Sequence, residues 1–137
     1  MNWKRLVSAA FAGFVFMFLF GFVWNGKLMH FAYDEAITLW RDRADMPILI
    51  LGYLVVAFFI AIAFARFISR GGAWAGFRLG MTLAFINVGG HFITFAVQPL
   101  TLHILWLSII GTLVQFTVAG AIIGAIYKPG ASESATV

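Results

Sequence analysis

The chain has no cysteine, only three prolines, and charge at just 10% of its positions. Without thiols there is no disulfide, no thiolate metal site and no thiol redox chemistry. Soluble domains carry about 25% charged residues and about 45 to 50% apolar ones, whereas 63% of these 137 residues are hydrophobic. That composition excludes an ordinary water-soluble domain. What is present is a set of long uncharged runs, with a mean hydropathy of +0.99, and this predicts a single all-α membrane domain over residues 1–130.

The first run, from Leu6 to Gly26, follows Lys4 and Arg5 and is 21 residues long. A secretory signal has a shorter apolar core and a small-x-small cleavage site. Phe22, Val23, Trp24 and Asn25 offer no such site, so the segment is expected to be retained. Residues 27–45 hold Lys27, Asp34, Glu35, Arg41, Asp42, Arg43 and Asp45. Within them Met29, Tyr33, Ala36, Ile37 and Trp40 recur at helical spacing opposite His30, Asp34, Thr38, Arg41 and Asp45, which predicts a short interfacial helix. The second run is residues 46–66, opened by Pro47 in its first turn. Arg66, Arg70 and Arg78 then flank Gly71 and Gly72. From Leu79 to Tyr127 there are 49 uncharged residues, too many for one span, and Gln98-Pro99 divides them. The spans are therefore expected at about 6–26, 46–66, 79–97 and 103–127, with residues 131–137 a disordered tail.

The charge distribution sets the orientation. Lys4, Arg5, Arg66, Arg70, Arg78 and Lys128 fall on one side, and Lys27, Arg41 and Arg43 on the other. The positive-inside rule makes the richer side, with both termini, cytoplasmic. The aromatics agree, because tryptophan and tyrosine favour the headgroup level. Trp3, Trp74 and Tyr127 are expected at the inner boundary, and Trp24, Tyr33, Trp40, Tyr53 and Trp106 near the outer one. The net charge of +4 is read as topology signal rather than as a nucleic-acid surface, and no nucleic-acid partner is expected.

Intramembrane polarity is concentrated in the last two spans. Asn87, His91, Thr94 and Gln98 lie on one helix face, as do Ser108, Thr112 and Gln115. In an antiparallel hairpin turning near Thr101, Asn87 is expected level with Gln115, Thr94 with Ser108, and His91 with Gly111 and Thr112. One reading is that this ladder glues two helices together. The other is that it lines a small-solute or ion pathway or a ligand cavity, with His91, whose ordinary pKa is near 6.5, as its titratable member. No Asp, Glu, Lys or Arg lies within a span, which argues against a carboxylate proton relay. The first two spans are expected to be apolar scaffold.

Small residues form a second pattern. Gly76 and Gly80, and Gly120 and Gly124, are two GxxxG pairs, and Ala57, Ala61 and Ala65 repeat the spacing. Such residues let helices approach closely, within the bundle or between copies. His30 and His103, both at the outer boundary, could share a metal with Asp34 or Glu35, but interfacial histidines are commonly just amphipathic anchors. No metal or cofactor is expected. The catalytic motifs GxSxG, HExxH, Walker and dinucleotide are absent, and the chain is expected not to be an enzyme.

Gly21-Phe22-Val23-Trp24-Asn25-Gly26-Lys27, the second span ending at Arg66, Phe77-Arg78-Leu79-Gly80 and Gly120-Ala121-Ile122-Ile123-Gly124 together resemble small four-helix bacterial membrane proteins of unassigned function. The resemblance implies a four-helix fold in a bacterial inner membrane and supplies neither an activity nor a site. Small multidrug transporters have a similar length but need a glutamate in the first span, and residues 6–26 contain none. Two functions stay open: a polar hairpin serving a solute, in a bundle that can be a homo-oligomer, or an accessory subunit docking on a larger membrane complex. In both, the lipid bilayer is the first partner.

Overall fold

The computed structural model of the chain describes residues 2–30, 32, 45–68 and 71–127, and every regular element among them is helical. Helix α1 is Trp3–Val23, extended directly by a π-helical turn at Trp24–Leu28. Helix α2 is Met46–Phe67, α3 is Ala73–Val97 and α4 is Leu102–Tyr127. All four are long and apolar enough to cross a membrane. The shortest, α1 with 21 residues before its π-helical extension, reaches about 32 Å, against a hydrocarbon layer of about 30 Å. The expected interfacial helix falls largely on residues 33–44 and the expected tail on 131–137, outside the described residues.

Local chemistry explains the helix ends. The Asn2 side chain accepts from the Arg5 amide at 3.2 Å, and Asp45 accepts from the Ile48 amide at 3.3 Å, each satisfying a free first-turn N–H. Helix α3 stops at Gln98, whose φ of −120° and ψ of 143° are the extended angles favoured before proline. Thr101 then caps α4, its hydroxyl accepting from the Ile104 amide at 3.4 Å. Helix α3 begins at Ala73 rather than at the expected residue 79. Arg78 ended the apolar run in the sequence, but arginine is a good helix former, so the helix extends past the charge.

The helices run alternately up and down. Gly13 lies against Ile123, Gly21 beside Gln115 and Tyr53, and Gly76 against Gly120 and Gly124. Helix α4 is the hub: α3 packs along its length, α1 packs against both α4 and α2, and α2 and α3 barely touch. At the end of the bundle holding Lys4, Arg66 and Arg78, a core of Leu6, Ala9, Met17, Ala57, Ala61, Phe64, Ala119 and Ile123 is fully buried. Tyr127 belongs to this core, edge-on to Phe64 with ring centres 6.2 Å apart, and Tyr53 packs edge-on to Phe18 at the same separation. Each tyrosine thus meets an aromatic partner on a neighbouring helix.

Gly76, Gly80, Gly120 and Gly124 bring α3 onto α4. A methyl group on Gly76 or Gly120 would run into the other residue's carbonyl, and one on Gly80 would meet that of Phe116. In lipid, where apolar burial drives helix association little, such backbone proximity is a main source of cohesion. It closes the hairpin at this end.

A polar cavity between helices α1, α3 and α4

Between α1, α3 and α4 lies a half-open cavity of about 330 Å³. That is the low end of the range for small-molecule pockets. His91, Thr94 and Gln98 line it from α3 and its C-cap, and Ser108, Thr112 and Gln115 from α4. Helix α1 supplies Phe20, Trp24 and Asn25, with Met29 just beyond it.

Six of the seven polar residues singled out in the sequence therefore share one cavity. The seventh, Asn87, does not line it. Its Nδ2 donates to the Leu83 carbonyl of its own helix at 3.0 Å, and the residue is exposed. Asn87 and Gln115, expected level with each other, are not hydrogen-bonded: Gln115 Nε2 donates to the Met17 carbonyl of α1 at 2.8 Å. The expected proximity of His91 and Thr112 is present, as a 2.7 Å hydrogen bond between Nε2 and the threonine hydroxyl. Either the hydroxyl donates to a bare Nε2 or Nε2–H donates to the hydroxyl, according to the tautomer.

The contribution of α1 was missed in the sequence, where the first span read as scaffold. Its cause is the π-turn, in which the Met29 amide bonds the Trp24 carbonyl at 2.9 Å, five residues back. The wider turn is a local insertion of the kind found at functional sites, and it sets Trp24 and Asn25 against α4. The Trp24 indole donates to the Leu107 carbonyl at 3.2 Å and stacks on Phe20 with ring centres 5.5 Å apart. A side chain on Gly111 would collide with that indole. Trp24-Asn25-Gly26, a cluster of poor helix formers before Lys27, is the one signal that could have pointed here.

Apolar groups border the cavity at both ends. Met29, Ala32 and Ile104 are almost completely buried and pack with Trp24 and Leu107. Beneath Gln115 come Ala119, Ile123 and Met17, with no further lining group. Ser8, Thr82 and Thr117 each donate to a carbonyl of their own helix, at 3.0, 3.1 and 2.6 Å. Polarity thus stops about half-way through the bundle. Nδ1 of His91, the Ser108 hydroxyl, the Gln98 amide and Oε1 of Gln115 have no partner among the described residues.

Of the proposed outer metal site, Asp34 and Glu35 lie outside the described residues, and no group of three or more His, Cys, Asp or Glu gathers among the described ones. No protein-family model, no curated protein and no solved structure matches the chain.

Proposed function

We propose that this is a small multi-pass protein of a bacterial inner membrane, with both termini cytoplasmic, whose cavity between α1, α3 and α4 binds a small uncharged molecule. The orientation is supported by the gathering of Lys4, Arg5, Arg66 and Arg78 at one end of the bundle, the richer side under the positive-inside rule.

The observation that carries the binding reading is the contrast between two sets of polar side chains. Ser8, Thr82, Asn87 and Thr117 bond back to their own helices; of the six that line the cavity only Thr94 does so, its hydroxyl donating to the Gly90 carbonyl at 3.0 Å, and His91, Gln98, Ser108 and Gln115 retain unused donors or acceptors. Interhelical polar bonds in membranes contribute only about 0.6 kcal/mol each, so adhesion alone is a small return for that convergence. The ligand is uncharged because no Asp, Glu, Lys or Arg among the described residues lines the cavity, and an unpaired charge in such surroundings is strongly disfavoured. The stacked Phe20 and Trp24 rings favour a ligand with one flat apolar face. A blind cavity fits this geometry better than a pathway, since the polar lining ends at Gln115.

Native mass spectrometry of protein extracted in mild detergent tests the reading. A bound small molecule is expected in the parent protein and is expected to be lost in His91→Ala and Gln115→Leu. Parent protein free of any small molecule would remove the proposal. Glycerol flux through liposomes that depends on His91 and Gln115 would replace the cavity with a pathway.

A further inference from the structure

Arg78 stands inside helix α3 rather than in the turn before it. It lies five residues past Ala73 in this 25-residue helix, about 7 Å along an element about 37 Å long. A hydrocarbon layer of about 30 Å centred on the helix begins near its first turn, so the arginine backbone sits just beneath the lipid surface. A charge at that depth reaches for the headgroups or for a counter-charge. The Arg78 guanidinium has no partner among the described residues, and their only acid, Asp45, caps α2 at the opposite end of the bundle.

The surface around Arg78 changes from charged to apolar along one line. Arg78 is two residues from Gly76 and two from Gly80, about 200° around the helix from each, so it points away from α4, which both glycines touch. There it lines an open groove of about 540 Å³ with Ile68, at the C-cap of α2, and with Phe77, Leu79, Met81 and Thr82 of α3. Helices α2 and α3 barely touch, which leaves the groove open on the bundle surface. Trp74, one turn before Arg78 on the same side, is 70% exposed and stacks on Phe77 with ring centres 5.3 Å apart, as suits an aromatic at headgroup level. Met81 lies about one turn deeper than Arg78, and Phe85, 61% exposed, lies two turns deeper. The Thr82 hydroxyl donates to the Arg78 carbonyl at 3.1 Å, so the surface below the guanidinium presents mainly hydrocarbon.

We propose that this groove holds one anionic phospholipid, with its phosphate on Arg78 and an acyl chain along Met81 and Phe85. The site rests on the membrane placement proposed above and not on the cavity. The occupant is a lipid because one cation adjoins an apolar track that a free anion would leave uncovered. It is anionic because Lys4, Arg5 and Arg66 share this end of the bundle with no acid among the described residues, and basic pockets between spans on the cytoplasmic side hold anionic headgroups.

Full-length protein in mild detergent, titrated with phosphatidylglycerol and separately with phosphatidylcholine, tests the site, with bound lipid counted by native mass spectrometry. Phosphatidylglycerol is expected to bind in preference. Arg78→Gln is expected to weaken it about fivefold, the effect of one charge near the surface. Arg66→Gln removes the same charge at the same end but outside the groove, and is expected to change binding by less than about twofold. Met81→Trp fills the groove with the charge intact and is expected to lower binding as well. Equal binding of phosphatidylcholine, equal losses in Arg78→Gln and Arg66→Gln, no loss in Met81→Trp, or displacement of the lipid by inorganic phosphate would each overturn the proposal. Release of the protein from membranes by alkaline carbonate would instead show that the membrane placement itself is wrong.

Discussion

Gln115 in α4 and Met17 in α1 are joined by a 2.8 Å hydrogen bond from a side-chain amide to a main-chain carbonyl. The bond lies at the boundary between the polar cavity and the apolar core. Above it are His91, Thr112 and Ser108, and below it Ala119 and Ile123, both fully buried. It therefore does two things at once: it ties the hub helix to α1 and forms the floor on which a ligand would rest.

Replacing Gln115 by leucine separates these roles. The loss of stability is expected to be small, about 0.6 kcal/mol and no more than about 1.7 kcal/mol, as for other interhelical bonds in membranes. Unfolding in mixed detergent micelles measures it. Ligand binding is expected to disappear although the fold survives.

The pair His91 and Thr112 is suited to a double-mutant cycle. His91→Ala, Thr112→Val and the double variant are expected to show a coupling of about 0.6 to 1.7 kcal/mol. Coupling within error of zero in micelle unfolding would mean that the 2.7 Å contact contributes nothing to stability.

Glycine substitutions are expected to divide sharply by position. Gly76→Leu or Gly120→Leu forces a side chain into the facing backbone, where neither helix can yield cheaply, and is expected to destabilise by at least about 2 kcal/mol. Gly52→Ala and Gly89→Ala enter open space and are expected to change stability by less than about 1 kcal/mol, in the stabilising direction, through helix propensity. Similar losses at all four positions would contradict the packing described.

Gly111→Ala is expected to act on the cavity through Trp24. The new methyl group would displace the indole and break its bond to the Leu107 carbonyl, with an expected loss of about 1 to 3 kcal/mol from overpacking and loss of the bound molecule. Trp24→Phe in the same protein is expected to recover part of the stability, because the smaller ring clears the methyl group. Micelle unfolding and native mass spectrometry read the two effects separately.

The number and limits of the helices were largely legible in the sequence, because in an apolar solvent a backbone must satisfy itself within each helix. Uncharged runs and proline positions therefore mark the spans closely. The exception is the start of α3, where Arg78 ended the apolar run while helix formation continued. The polar residues of the cavity were legible as two stripes, and the glycine pairs as faces that permit close approach. Asn87 shares the stripe of His91 by helical spacing, yet it lies outside the cavity. Spacing places residues around one helix but does not say which neighbouring group or open space each one meets.

The order of residues alone thus determined the all-helical architecture, the four apolar helices and the location of most of their polarity, since these follow from what each segment can satisfy by itself. Only the tertiary structure decided which polar groups share a space. The glycine contacts draw α3 and α4 together at one end, the π-turn presents Trp24 and Asn25 at the other, and Gln115 turns from the hairpin toward Met17. Each of these depends on where a neighbouring backbone lies, and no single stretch of sequence carries that information.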